Sequence, residues 1–245
     1  RAEVQAQEKE LETDVLGAVM YPGDSHLSPG KLMIGLKEKL KASGVKFLYK
    51  HEVLKLNHSK GKITSVTTSN GELMADEYVL AAGSWSAILA EQIGLNLPLQ
   101  AGKGYNITIS KTAQQVSIPS ILCEAKVAVT PMGNSLRFGG TMEIAGLNKS
   151  ISQNRVEAIK KAALTYFPNL NREALDLPKP WAGLRPCSPD GLPYVGQTSK
   201  ARNLTVACGH AMLGLSLGPV TGEMVRDAIL GKEPSTFLIS PDRYA

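Results

Sequence analysis

The 245-residue chain predicts an α/β fold of mixed α+β character, in which one α/β domain is interrupted by an inserted antiparallel β-sheet domain. Three observations carry that expectation. A helix start signal followed by alternating and buried strand patterns fills the chain to about residue 97. Strand patterns with a single amphipathic helix then run from 98 to 182. Strand, glycine-rich loop and helix return from 183 to 245, the sign of a domain left and rejoined. The expected divisions are therefore 1–97, 98–182 and 183–245, with the first residues belonging to the end of a preceding helix.

Ser28-Pro29-Gly30 predicts a helix from about 29 to 43: serine suits the N-cap, proline the first helical position, and Leu32, Leu36 and Leu40 share a face until Gly44. Val45, Phe47 and Tyr49 alternate as in a strand, and further strands are expected at 51–57, 61–68 and 77–82. A short helix carrying Ile88, Leu89 and Ile93 follows. The inserted part reads as strands at 99–110, 118–123, 127–131 and 134–141, then a helix over 152–166 that buries Val156, Ile159 and Ala163 and that Ser152 is placed to cap. Asn203 to Ala207 is a short buried strand. Gly218-Pro219 reads as the opening of a last helix, with Val220, Met224 and Ala228 on one side and Gly231 and Pro234 as its stop.

Composition narrows the function classes. No run of about 18 apolar residues encodes a membrane span, and Arg1–Glu12 is too charged for a signal-peptide core. The chain opens on Arg1 inside a helix-compatible segment, as a piece of a longer protein would. The 27 basic and 22 acidic residues give a formal charge of +5, but the lysines are scattered, so nucleic acid is not an expected partner. Cys123, Cys187 and Cys208 have no CxxC spacing and the four histidines no ligand spacing. Buried thiols in a reducing, cytoplasmic compartment and no metal site are expected.

Three motifs carry the chemistry. "YVLAAGSWS", Tyr78 to Ser86, is a buried strand running through Ala82 and Gly83 into a helix. Gly83 either lets a ligand approach the backbone, with the helix N-terminus favouring an anion, or makes a tight turn. "ACGHAMLGLSLGPVTG", Ala207 to Gly222, repeats the strand, loop, helix layout without the GxGxxG spacing of a dinucleotide fingerprint. Its backbone N–H groups suit negative charge, and His210 either touches a ligand or is a hydrogen-bonded structural residue. In "WAGLRPCSPDGLPYVG", Trp181 to Gly196, Arg185 stands in rigid sequence beside Gly183 and Pro186. Its planar fork matches a carboxylate, or an Asp or Glu of the protein itself.

Together these segments resemble the C-terminal part of the D-amino acid oxidase superfamily of FAD enzymes, D-amino acid dehydrogenases and glycine oxidases in particular. "DSHLSPGKLMIGLKEKLKASGVKF", "LPLQAGKGYNI" and "LRFGGTMEI" fall in family order with the three motifs. The resemblance implies a partial FAD-binding domain with an inserted substrate-binding sheet, lacking the family's N-terminal GxGxxG. It places Val53 beside the adenine half of FAD, and Ala82, Gly83, Trp85 and Gly183 along the cofactor. It sets Gly209, Leu213, Gly214, Leu215 and Ser216 at the pyrimidine end of the flavin, and Arg185, Met212 and His210 at the substrate. Arg185 would bind the substrate α-carboxylate. Met212 replaces a second arginine of glycine oxidases and Ala128 replaces a tyrosine, which argues against glycine as the preferred substrate. The implied activity is oxidative deamination of D-amino acids, with a glycine or sarcosine type of oxidation and a non-catalytic flavoprotein subunit as alternatives. Electrons would pass to a quinone or to oxygen, in a cytoplasmic protein or one peripherally associated with the inner membrane.

Overall fold

A computed structural model describes residues 2–8, 15–110, 116–232 and 236–244. Helices α1 (Ala2–Gln7) and α2 (Pro29–Ala42) precede the strands β1 (Val53–Ser59), β2 (Lys62–Thr68), β3 (Gly71–Leu73) and β4 (Tyr78–Leu80). A 3-10 turn at Gly83–Trp85 leads into α3 (Ser86–Glu91), followed by β5 (Gln100–Ser110), β6 (Ser120–Leu122), β7 (Val127–Pro131) and β8 (Ser135–Ile144). Then come α4 (Gln153–Tyr166), α5 (Arg172–Asp176), β9 (Trp181–Cys187), β10 (Tyr194–Thr198), β11 (Ala201–Cys208) and α6 (Gly214–Ile229), with a last 3-10 turn at Phe237–Ile239.

Contacts divide the chain into two compact units. The first holds Arg1–Phe47, Lys103–Glu143 and Lys149–Gly183; the second holds Leu48–Gly102, Ile144–Asn148 and Leu184–Ala245. The first is built on a five-stranded sheet in the order β6-β7-β8-β5-β9. Helix α4 packs on it through Val156, Ile159 and Ala163, which join Tyr105, Ile107, Val129, Phe138 and Phe167 in one core. The closeness of that packing explains Gly140: a Cβ there would lie 2.9 Å from Val127 Cγ2 and 3.2 Å from Ile159 Cγ1. The Glu8 carboxylate, just past α1, accepts hydrogen bonds from the Ser117 N–H and hydroxyl and the Ile118 N–H, fixing the segment that enters β6.

The second unit combines a meander, β1-β2-β3, with a sheet in the order β10-β11-β4. Strands β10 and β11 form an antiparallel hairpin and β4 lies parallel to β11, with Tyr78, Val79 and Leu80 opposite Leu204, Thr205 and Val206. Leu56, Ile63, Leu80, Leu95, Tyr194, Leu204 and Val206 form its core. Asn203 ties the two sheets together. Its side-chain amide accepts from Ile63 N–H at 2.8 Å and donates to Ile63 C=O at 3.0 Å and Asp76 C=O at 3.1 Å.

Several sequence expectations need correction. Val45–Tyr49 forms no strand: alternation alone does not make a ladder, and this segment joins none of the sheets. Ser28 and Ser152 occupy the N-cap positions of α2 and α4, but neither hydroxyl makes a cap bond. Leu32, Leu36 and Leu40 share a face of α2 that stays exposed. Helix α6 starts at Gly214, so Pro219 stands inside it rather than at its opening. Proline removes only one ladder bond there, the one to the Leu215 carbonyl, so the helix runs on past it. Gly231, with φ +73°, ends it as expected. Pro234 and residues 9–12 of the charged opening segment lie outside the described residues.

Candidate functional site

Of the expected site residues, Arg185 and those from Gly209 to Ser216 flank the end of β11. There Cys208 gives way to Gly209, whose φ of +84° turns the chain out of the strand. A Cβ on Gly209 would sit 2.9 Å from the Tyr194 ring, so the turn also needs glycine for space. His210 then forms an isolated antiparallel bridge with Cys187, and the Ala211 N–H donates to the Pro186 carbonyl at 2.9 Å. Those contacts hold the "GLRP" strand and the "GHAML" loop edge to edge, with Arg185 next to Pro186. The two motifs lie far apart in sequence; the hairpin of β10 and β11 brings them together.

The arrangement leaves Arg185 notable in two respects. It is half-buried, and its guanidinium makes no ion pair or hydrogen bond with any described residue. A planar fork in that position, with no acidic partner among the described residues, has the geometry to pair with a carboxylate. His210 is engaged differently: its Nε2 lies 2.9 Å from Thr221 Oγ1 on α6, and burial holds its pKa below the ordinary value. The neutral imidazole braces the loop against the helix. Met212, 74% exposed, Leu213 and Leu215 present apolar side chains outward from the same turn.

Helix α6 begins immediately afterwards. Leu213 at its N-cap position supplies no side-chain acceptor, and no acidic residue stands in its first turn. The N–H groups of Gly214, Leu215 and Ser216 precede the helical ladder, whose first bond runs from Leu217 N–H to the Leu213 carbonyl. That end of the helix is electropositive and uncapped. At the end of β4, Gly83 has φ +57° with open space at its Cβ position, and the buried Ser84 hydroxyl beside it has no hydrogen-bond partner among the described residues. Trp85 and Val53 are exposed apolar residues of this unit.

These features fit FAD. Uncapped N–H donors suit the carbonyl-bearing end of a flavin, and an orphaned buried hydroxyl beside an open glycine turn suits a polar group passing over Ala82–Ser84. The exposed apolar side chains suit planar rings. Gly183, in the first unit, has a structural reason to be glycine as well: a Cβ there would lie 2.2 Å from the indole of Trp181. Buried Cys208 is inert, its thiol pushed up to about 11 by burial. Sequence reasoning missed Asp190, Tyr194, Thr221 and Arg243, which support these segments from behind. Only the side-chain types within "SPDGLPY" hinted at the first two.

The chain is 36% identical over 229 residues to the D-amino acid dehydrogenase of Granulibacter bethesdensis, covering 90% of this chain and 53% of that protein. It is 34% identical over 229 residues to the glycine oxidase of Pseudomonas putida, covering 93% and 61% respectively. It spans about half the length of the curated D-amino acid dehydrogenases it matches. The solved glycine oxidase of Geobacillus kaustophilus superposes with a TM-score of 0.87 at 26% identity, over 100% of this chain and 66% of that one. L-proline dehydrogenase from P. horikoshii, at 20% identity and a TM-score of 0.82, shares the fold over 99% of this chain and 67% of that one. The model of the FAD dependent oxidoreductase family matches residues 1–228, and the chain belongs to that family.

Proposed function

We propose that the full-length protein oxidises D-amino acids to imino acids, which water then hydrolyses to 2-oxo acids. The observation that carries the reading is Arg185: a half-buried guanidinium without an acidic partner among the described residues, held against the Gly209–Ser216 turn by the Cys187–His210 bridge. When bound, FAD supplies the two-electron acceptor for the hydride leaving the substrate Cα. Arg185 grips the α-carboxylate with two parallel hydrogen bonds and so fixes the direction of the Cα–H bond. The amine nitrogen, having lost a proton, forms the C=N bond as the hydride departs. The uncapped N–H groups at Gly214, Leu215 and Ser216 favour the negative charge that the oxidation leaves beside them. Met212 and Leu213 keep water from the reacting carbon, and Val53, Ala82, Gly83 and Trp85 would hold the rest of the cofactor.

Oxidation of glycine or a secondary amine is the second reading, favoured by the similarity to glycine oxidases. Met212 weighs against it, because a flexible thioether makes no charge-specific contact and suits an apolar side chain better. The test is an absorbance spectrum of the full-length protein for bound flavin, then turnover of a D-amino acid panel, glycine and sarcosine, with an artificial electron acceptor, a quinone and oxygen in turn. Preferential turnover of apolar D-amino acids supports the first reading; glycine as the best substrate supports the second. Flavin binding without turnover of any of them overturns both.

A further inference from the structure

We infer that Arg243, through Asp190 and Tyr194, is the positioning residue that holds both halves of the carboxylate site in place, an inference that rests on Arg185 as the carboxylate receptor. Arg243 lies in the last described segment of the chain, far in sequence from β9, yet its side chain is only 6% exposed. Its guanidinium makes five hydrogen bonds. It grips the Asp190 carboxylate through Nε to Oδ2 at 2.9 Å and Nη2 to Oδ1 at 3.0 Å. It also donates to the carbonyls of Leu192 at 2.8 Å, Pro193 at 3.1 Å and Ser240 at 3.2 Å. Every hydrogen-bonding direction of the fork is used, so the group has nothing left to offer a ligand and its role is structural support.

Two paths lead from this fork to the site. Along the first, Asp190 Oδ1 accepts the Leu192 N–H at 3.0 Å and the Ser188 hydroxyl donates to the Leu192 carbonyl at 2.7 Å, closing a tight turn around Gly191, whose φ is +77°. That turn follows directly on Arg185-Pro186-Cys187, so its geometry sets where β9 ends and where the Pro186 carbonyl meets the Ala211 N–H. Along the second, the guanidinium stacks 3.8 Å from the centre of the Tyr194 ring. Tyr194 is fully buried, donates its hydroxyl to the Pro98 carbonyl at 3.0 Å, and faces Gly209 so closely that no Cβ fits between them. Arg243 thereby fixes the ring against which the Gly209 turn is formed, and that turn delivers Met212 and the N-terminus of α6. The segment carrying Arg243 is itself anchored: Asp242 accepts from the Thr198 hydroxyl and the Ser199 N–H, each at 2.7 Å, and Asn96 donates to the Tyr244 carbonyl at 3.0 Å.

Geometry of this kind controls substrate affinity, because a carboxylate fork displaced by a fraction of an ångström loses one of its two bonds. The experiment uses the full-length flavoprotein with Arg243→Ala, Arg243→Lys, Asp190→Asn and, as reference, Arg185→Ala. KM and kcat for the best D-amino acid are measured beside the Kd of a non-reacting carboxylate such as benzoate, read from the flavin spectrum. Hydrogen exchange of the peptides covering 186–194 and 207–216 reports the turn directly. Arg243→Ala is expected to raise KM and the benzoate Kd by about tenfold with a smaller change in kcat, and to accelerate exchange in both peptides. Arg243→Lys and Asp190→Asn, which each keep part of the hydrogen bonding, should fall between. If Arg243→Ala does not fold, those two variants decide by the same readouts. Normal KM and Kd in folded Arg243 and Asp190 variants, with Arg185→Ala impaired, overturn the inference alone. Unchanged carboxylate binding in Arg185→Ala overturns the reading of the site, and the inference with it.

Discussion

Replacing Asn203 should cost the second unit a large part of its stability. The side chain is 2% exposed and behaves as a piece of strand backbone, pairing with both the N–H and the C=O of Ile63 and with the carbonyl of Asp76. Asn203→Ala removes three hydrogen bonds. The Ile63 N–H is then left buried without a partner, which costs about 1–3 kcal/mol, and the two carbonyls lose about 1 kcal/mol each. The sum, about 3–5 kcal/mol, is a fifth or more of the usual stability of a domain, roughly 5–15 kcal/mol. Asn203→Leu restores volume but not partners and should not recover the loss. Asn203→Asp should be worse above neutral pH, because the introduced carboxylate faces two carbonyl oxygens. Its folded pKa is raised above the unfolded value, so the added penalty is full at high pH and is relieved as pH falls through the folded pKa. The assay is urea unfolding followed by Trp85 fluorescence in a Trp181→Phe background, so that the signal comes from the second unit. A loss below about 1 kcal/mol in Asn203→Ala, or an Asn203→Asp protein as stable as the parent above pH 7, would refute the reasoning.

The other expectations can be tested together. Gly209→Ala meets both a left-handed φ and the Tyr194 ring, whereas Gly61→Ala meets only a φ of +68° with open space; the first should destabilise by about 1–3 kcal/mol more than the second, and equal losses would show that the ring yields freely. Arg185→Ala in the full-length enzyme should lower kcat/KM about a hundredfold or more, with Arg185→Lys recovering only part, while thermal stability stays near that of the parent. A stable Arg185→Ala protein with normal kcat/KM would end that assignment. Burial holds the His210 pKa below the ordinary histidine value of about 6.5, so the unfolded chain takes up the proton first. The contribution of His210 is therefore present above pH 6.5 and lost as pH falls toward the folded pKa. His210→Gln should flatten the acid side of the stability profile, and an unaltered slope would contradict this.

What was legible in the sequence follows from where the physics is local. Pro29 at the first turn and the leucine spacing specify α2, and the periodicity of Val156, Ile159 and Ala163 specifies the buried side of α4, because each signal is complete within a few residues. The glycine-rich loop and "GLRP" stood out as candidate site segments for the same reason. The start of α6 was misplaced by four residues, since Gly218-Pro219 looks like a strong local break but proline costs a helix that has already begun only one bond. The alternation of Val45, Phe47 and Tyr49 misled in the opposite direction, promising a strand where the chain joins no sheet. Asn203 read as an ordinary first residue of a strand, because nothing nearby announces that Ile63 lies against it. Arg243 and Asp190 carry no mutual spacing signal, and a supporting ion pair becomes visible only when the chain has returned on itself.

The parallel pairing of β4 with β11 has a consequence for the order in which the protein can be made. Tyr78–Leu80 emerges from the ribosome early but finds its partner only in Leu204–Val206, and Ile63 waits for a side chain 140 residues further on. The intervening residues include almost all of the five-stranded sheet, whose strands β5 to β8 follow one another closely and can pair as they appear. Loop closure over such a separation is slow and entropically costly, so assembly of the second unit must come last. During that interval the core side chains Leu56, Ile63 and Leu80 of β1, β2 and β4 lack their later partners in the nascent chain. Slower translation or a holding chaperone should therefore raise the yield of soluble protein more than any change made within the sheet that forms first.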